Sequence, residues 1–188
     1  MKRLLETVLI LMTCGRACAN YGDADIVQVR PGALSTNWFA AIKEAIPSAP
    51  SMGESNFQSI TNLLCRESRR GNIAAQGLWG FFVLVQSRAP EEAATGLQLL
   101  RNSATNGFVP AMLNLGVLFE GGEYVQRDYS EAFHWFTEAA ANNNPEGLLQ
   151  LGGCYHYGLG TPCNLAKAAD FYRRAAELTN YVAMKSLG

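Results

Sequence analysis

The sequence predicts an all-α protein whose helical hairpins recur every 36 residues and stack into a right-handed α-α superhelix. The period is visible without gaps in two columns of small residues, which are Ala75, Ala111, Gly147 and Ala183, then Gly80, Gly116, Gly152 and Gly188. Apolar residues three or four apart within each period indicate two amphipathic helices per unit. Because one such hairpin cannot bury its apolar face alone, the units are expected to stack on one another.

The second unit shows the two helices most clearly. One stripe contains Ala111, Leu115 and Phe119, and a second contains Ala132, Trp135, Phe136 and Ala139. We expect Gly116 and Gly152 to lie on the first helix of their units, where a side chain would hold the second helix away. Their lack of a side chain then allows the two backbones of a hairpin to approach closely.

Residues that favour helix ends lie where the helices of these units are expected to begin and end. Pro110 and Pro145 stand where the first turn of a helix tolerates proline, and Asn144 is a candidate cap before Pro145. Asp128 followed by Glu131 predicts a capping box at the start of a second helix. The glycines between the helices permit the positive φ of a tight turn, and they are Gly121, Gly122, Gly158 and Gly160.

Two consecutive units resemble the Sel-1-like repeat, a relative of the tetratricopeptide repeat with a longer loop between its helices. The matching strings are AMLNLGVLFEGGEYVQRDYSEAFHWFTEAAANN and GLLQLGGCYHYGLGTPCNLAKAADFYRRAAELT. The resemblance extends over about residues 71–188, although the unit from Ala75 lacks the glycine loop and carries Pro90 there. It implies a solenoid of helix-turn-helix repeats whose first helices line the concave face.

The segment before the repeats has the layout of a secretory signal. Lys2 and Arg3 precede an apolar stretch and the small-residue site Ala17-Cys18-Ala19, so we expect cleavage after Ala19 and a periplasmic or secreted protein. The apolar stretch is shorter than the roughly 20 residues that span a bilayer. A membrane anchor and lipidation at Cys14 are the less favoured alternatives.

The chain is therefore predicted to contain four segments. They are a signal peptide at 1–19, an extended or disordered stretch at 20–34, a degenerate capping repeat at 35–70, and Sel-1-like repeats at 71–188, divided into 71–106, 107–142, 143–178 and a partial unit at 179–188.

Composition and motifs argue against nucleic-acid binding and catalysis. Lysine and arginine total 15 and aspartate and glutamate total 16, so no basic excess is available to neutralise phosphates. His134 and His156 fall in different units without a second ligand at metal spacing. The glycine-containing string at 158–163 lies between two helices rather than after a strand, which predicts a turn. We expect no enzyme activity, no metal and no small-molecule cofactor.

One unit contains two cysteines at positions where the preceding unit has none. Cys154 and Cys163 stand where the preceding unit has Leu118 and Arg127, and this joint gain predicts a disulfide, with free thiols as the alternative. Cys65 falls at a predicted outward position of a second helix, where it would be an unpaired thiol that is inert or available to a partner.

The expected function is binding of a protein or peptide in the groove that the first helices would line. The candidate groove residues are Phe81, Val85, Leu113, Val117, Glu120, Leu149, His156 and Tyr157. An exposed apolar stripe of this kind marks interaction sites. The favoured hypothesis is a non-enzymatic scaffold or adaptor that contacts envelope or membrane proteins. The alternatives are a cysteine-containing protein that binds cell-wall precursors or resembles a β-lactamase, and self-association through the C-terminal edge.

Overall fold

The computed structural model describes the backbone of residues 57–87 and 89–187 and the side chains of residues 61–87 and 89–179. The described residues form helices and turns, with no strand among them, so the predicted all-α class is confirmed. The predicted signal peptide, the segment at 20–34 and the first helix of the capping repeat lie outside the described residues. The chain divides at Phe108 into two compact units, which are described separately below.

The described part of the first unit contains three helices, α1 (Phe57–Arg69), α2 (Ile73–Gln86) and α3 (Pro90–Thr105). Helix α2 begins at the cap Asn72, whose side-chain oxygen accepts from the amide of Ala75 at 3.0 Å. Helices α2 and α3 form a hairpin, and the residues at which the two helices come closest are the glycines Gly80 and Gly96. A methyl group at Gly80 would lie 2.7 Å from the carbonyl oxygen of Gly96. This closeness leaves no room for side chains at the crossing point.

The second unit contains two successive hairpins. They are formed by α4 (Val109–Gly121) with α5 (Tyr129–Ala141) and by α6 (Pro145–Tyr157) with α7 (Leu165–Leu187). Inside each hairpin, a glycine of the first helix lies under an aromatic ring of the second, Gly116 under Phe136 and Gly152 under Tyr172. Successive hairpins also meet, because a methyl group at Gly147 would lie 2.8 Å from the Cβ of Ala139.

Residues one period apart make equivalent hydrogen bonds at the helix ends. The amide of Asp128 donates to the carbonyl of Phe119 at 2.9 Å, and the amide of Asn164 donates to the carbonyl of Tyr155 at 2.7 Å. Asn144 caps α6 by accepting from the amide of Gly147 at 2.9 Å, as predicted. The 36-residue period of the sequence is therefore a structural period in the second unit.

The predicted capping box at the start of α5 forms only in one direction. Asp128 Oδ1 accepts from the amides of Ser130 and Glu131 at 2.9 and 3.1 Å. The amide of Asp128, which a capping box would pair with Glu131, donates instead to Phe119. The Glu131 carboxylate accepts from Trp135 Nε1 at 3.1 Å, one helical turn further along α5.

The last helix is longer than the period predicts. Second helices end where the chain reaches a residue with positive φ, at Gly71, Gly107 and Asn143, which are 36 residues apart. The next residue in this series is Thr179, and β-branched residues disfavour the left-handed region. Thr179 remains helical, its hydroxyl donates to the carbonyl of Ala175 at 2.9 Å, and α7 continues to Leu187. The segment 179–188, predicted as the start of a further repeat, therefore extends α7 as far as the described backbone reaches.

Candidate functional site

The first helices of the second unit each carry an exposed apolar face opposite a buried one. In α4, Leu115 is fully buried whereas Val117 is 50% exposed. In α6, Leu151 is buried whereas Leu149 is 52% and Tyr157 is 72% exposed. Large apolar side chains are therefore left uncovered on the same helices whose other sides form the core.

Helical spacing groups these exposed residues with the other candidates of the predicted groove. Positions 113, 117 and 120 follow one side of α4, and positions 149, 153 and 156 follow one side of α6. Leu113 and Glu120 are half-buried, and His156 is exposed. We call this set the first-helix face, and it comprises Leu113, Val117, Glu120, Leu149, His156 and Tyr157.

The two remaining groove candidates belong to the first unit. Phe81 and Val85 lie on α2, and both are half-buried. Neighbouring apolar residues of α2 are covered, and the ring of Phe82 stacks on that of Trp79 at a centroid distance of 5.4 Å. The participation of Phe81 and Val85 in partner binding stays a prediction.

An aromatic cluster closes one end of the first-helix face. The His156 ring lies 4.5 Å from the Tyr157 ring and 6.4 Å from the Tyr172 ring, measured between centroids. Tyr172 reaches this place from the second helix because its ring crosses α6 over Gly152. Partial burial, followed by the nearby Tyr157 and Cys154, raises the pKa of the Tyr172 hydroxyl.

Tyr172 was not among the residues predicted for the groove. The equivalent position one period earlier holds Phe136, which is fully buried, so the repeat alignment favours a core role for Tyr172. The feature of the sequence that could have identified Tyr172 is its polar hydroxyl group, which Phe136 at the equivalent position lacks.

The turn that follows α6 is fixed by contacts with the preceding hairpin. Gly158 and Gly160 adopt φ of +71° and +69°, which confirms the predicted turn. The Cα of Gly160 lies against the main-chain carbonyl of Tyr129, so this position has no space for a side chain. Nearby, the Tyr155 ring packs edge-on against Phe133 at 5.5 Å and stacks on Phe171 at 5.6 Å. These contacts hold the C-terminal end of α6, and with it Tyr157, in a defined position.

The predicted disulfide between Cys154 and Cys163 is not formed in the structure, where both residues are free thiols. Cys154 occupies a core position equivalent to Leu118 and is 2% exposed. Cys163 is exposed, as is the equivalent Arg127, and its thiol donates to the main-chain carbonyl of His156 at 3.1 Å. The two cysteines therefore occupy opposite environments, one inside the hairpin and one on its surface.

Cys154 does not have the properties of a nucleophile. Burial, with a smaller contribution from the charge of Glu120, raises the pKa of the Cys154 thiol to about 11, which keeps it protonated at neutral pH. Cys65 was predicted to face outward, and this prediction is wrong, since the residue is only 4% exposed.

Two features are absent from the described residues. No group of three or more His, Cys, Asp and Glu side chains within 61–87 and 89–179 has the arrangement of a metal site. No described helix combines the length and hydrophobicity that a membrane span requires.

The repeats identified by periodicity match a known family. Residues 109–144 and 145–180 each match the model of the Sel1 repeat. Residues 109–180 thus form two consecutive Sel1 repeats. The two matched Sel1 repeats coincide with the hairpins α4–α5 and α6–α7, and each has the length of the 36-residue period. Sel1 repeats generally mediate protein–protein interactions, so the first-helix face lies in a repeat type that is typical of interaction scaffolds.

A curated relative shares these repeats within a much longer chain. The DAP3-binding cell death enhancer 1 of Rattus norvegicus is 33% identical over 101 residues, which are 54% of this chain and 19% of the rat protein. The chain thus spans about a fifth of that relative, whose name states that it binds DAP3.

Solved structures agree on the fold. The Sel1 repeat protein of Oxalobacter formigenes superposes with a TM-score of 0.59 at 22% identity, over 69% of this chain and 99% of that one. A protective antigen of uropathogenic Escherichia coli strains that displays the Sel1-like repeat fold gives a TM-score of 0.56 at 28% identity, over 63% of this chain and 25% of that one. The fold is therefore the helical-repeat fold of Sel1 proteins.

Proposed function

We propose that this protein is a non-enzymatic scaffold or adaptor that binds a protein or peptide on its first-helix face. The observation that carries the proposal is the exposure of Val117, Leu149 and Tyr157 on helices whose opposite sides are buried. Burying such side chains against a partner removes apolar surface from water, which is the main favourable contribution to most protein association.

The shape of the exposed residues also fits recognition of another chain. Tyr157 projects a large ring with a polar end, a side chain type enriched at the energetic centres of interfaces. The contacts around Tyr155 and Gly160 fix the helix end from which it projects. A rigid anchor loses little conformational entropy on binding, which favours affinity.

We place this scaffold in the cell envelope, as a periplasmic or secreted protein. The support is the N-terminal sequence, with its basic start, short apolar stretch and Ala17-Cys18-Ala19 site. Fractionation of cells that produce the full chain, with N-terminal sequencing of the product, tests this part. A mature N-terminus at Asn20 is expected, and an intact Met1 in the cytoplasm would contradict export.

The binding proposal is tested by affinity capture with a paired substitution. Val117→Asp with Leu149→Asp introduces charge at two exposed positions, so the core stays intact. Leu165→Asp is the matched control, because Leu165 is 62% exposed at the start of α7 and lies off the first-helix face. We expect the double variant to lose partners that the control retains, with unchanged circular dichroism in both. Identical partners for all three proteins would count against the proposal.

A further inference from the structure

The charged residues of the described chain are divided between the two kinds of helix. The first helices α2, α4 and α6 contain no lysine and no arginine. Every lysine and arginine in the described residues lies on a second helix or in a turn. The first-helix face therefore lacks permanent positive charge, whereas the opposite sides of the hairpins carry both signs.

Acidic groups do border the apolar residues of that face. Glu120 follows Val117 by three positions on α4, and Glu146 precedes Leu149 by three positions on α6. Residues three apart on a helix are surface neighbours, so each exposed aliphatic side chain has a carboxylate beside it. Glu146 is exposed and Glu120 is half-buried.

Neither carboxylate is neutralised within the part of the chain that the structure describes. Glu67, Asp170 and Glu177 form ion pairs on second helices, and neither Glu120 nor Glu146 takes part in these pairs. After burial, the negative charge of Glu120 is the second cause of the raised pKa of the Cys154 thiol on α6. The face thus combines uncovered apolar side chains with two carboxylates that form no ion pair with a described lysine or arginine, and the nearby Arg127 donates instead to the main-chain carbonyl of Gly121.

From this combination we infer that the partner segment is a cationic amphipathic peptide. Its aliphatic or aromatic residues cover Val117, Leu149 and Tyr157, and its lysines or arginines pair with Glu120 and Glu146. This inference rests on the proposed function and specifies its partner. A second copy of the chain is a poor occupant through the same face, because carboxylates would then oppose carboxylates without compensating cations.

The test uses the purified mature chain and two fluorescent peptides of about 18 residues, a length that gives five helical turns. Both peptides carry the same leucines at helical spacing, and their remaining positions are lysine in one and glutamate in the other. Fluorescence anisotropy at low salt should show at least about tenfold tighter binding of the lysine peptide. Raising the salt concentration should weaken this binding, because exposed ion pairs are screened.

Charge-neutralising variants connect the effect to the two carboxylates. Glu120→Gln with Glu146→Gln should weaken binding of the lysine peptide by about three- to tenfold, as expected for the loss of two exposed pairs. Glu91→Gln with Glu138→Gln removes the same charge from exposed positions of second helices and is the matched control. That control should bind the peptide like the unmodified protein.

Three results would overturn the inference. They are equal binding of both peptides, binding of neither, and equal weakening by the two pairs of glutamine variants. Sedimentation that shows a dimer dissociated by Val117→Asp with Leu149→Asp would also overturn it, in favour of a second copy as occupant. The capture comparison between Val117→Asp with Leu149→Asp and Leu165→Asp does not depend on peptide charge. It therefore tests the proposed function independently of the inference about the charge of the partner.

Discussion

The ring of Phe136 lies directly against Gly116, at the place where any other residue would carry its side chain. The same relationship recurs one period later, where a methyl group at Gly152 would lie 2.6 Å from Tyr172 Cε1. In the first unit, a methyl group at Gly80 would lie 2.7 Å from the amide nitrogen of Leu100. Each hairpin is thus closed by a glycine and the residue twenty positions after it.

This contact predicts a position-specific cost for alanine. Gly116→Ala should destabilise the protein by about 1–3 kcal/mol, because Phe136 is fully buried and its ring has nowhere to retreat. Gly121→Ala on the same helix is the control, since no heavy atom lies within 4 Å of its added methyl group. Urea unfolding followed by circular dichroism measures both variants, and equal stability of the two would refute the packing account.

A second prediction separates backbone strain from collision in the turn after α6. Gly158 and Gly160 both have positive φ, so alanine at either position should cost about 1–2 kcal/mol. At Gly158 the added methyl group meets its nearest atom at 3.4 Å, whereas at Gly160 it collides with the Tyr129 carbonyl. Gly160→Ala should therefore be more damaging by at least about 1 kcal/mol in urea unfolding. An equal loss in the two variants would show that the collision is relieved by movement of the turn.

The environments of the cysteines predict their reactivity. Among the three cysteines that the structure describes, alkylation of the native protein at neutral pH should modify Cys163 quickly and leave Cys154 and Cys65 protected, because Cys163 is exposed and the other two are buried. Peptide mass mapping under non-reducing conditions identifies the modified sites, and denatured protein gives the reference in which all three react. Fast labelling of Cys154, or a peptide linked between Cys154 and Cys163, would contradict the described thiols.

The raised pKa of Cys154 predicts a loss of stability in alkaline solution. The folded protein keeps the thiol proton up to about pH 11, whereas the unfolded chain releases it near the ordinary value of 9.0. Between these values the unfolded state binds fewer protons, so the free energy of unfolding falls as pH rises. Urea unfolding at pH values below and within this range should show the fall. Cys154→Leu, which restores the residue type of position 118, should reduce the fall, whereas Cys163→Ser should not.

Much of the fold could be predicted from the sequence because the repeat supplies the same information several times. The period and the small residues identified the paired helices, and Asn144 and the glycine turn were assigned from local preferences alone. Local reasoning failed at Glu131, whose carboxylate bonds to Trp135 rather than completing a capping box. The indole N–H of Trp135 lies one helical turn away on the same helix and binds the Glu131 carboxylate. A capping-box motif does not take account of such nearby donors.

The candidate site was predictable only in part. Val117, Leu149 and Tyr157 were identified from their helical positions, and the structure leaves all three exposed. Tyr172 was missed because a core position does not reveal that a long side chain extends past its partner helix. The direction of Cys65 was also wrong, since alignment with later repeats does not apply to a degenerate unit at the end of the array.

The sequence by itself determined the all-α class, the 36-residue period and the glycines at which the helices of a hairpin approach. These features follow from spacing along one chain, and spacing fixes which residues share a helical face. Only the tertiary structure decided which residues are covered, such as Cys154 against Cys163, and how far α7 continues beyond Thr179. Burial depends on what packs against a surface from elsewhere in the fold, which no local pattern records.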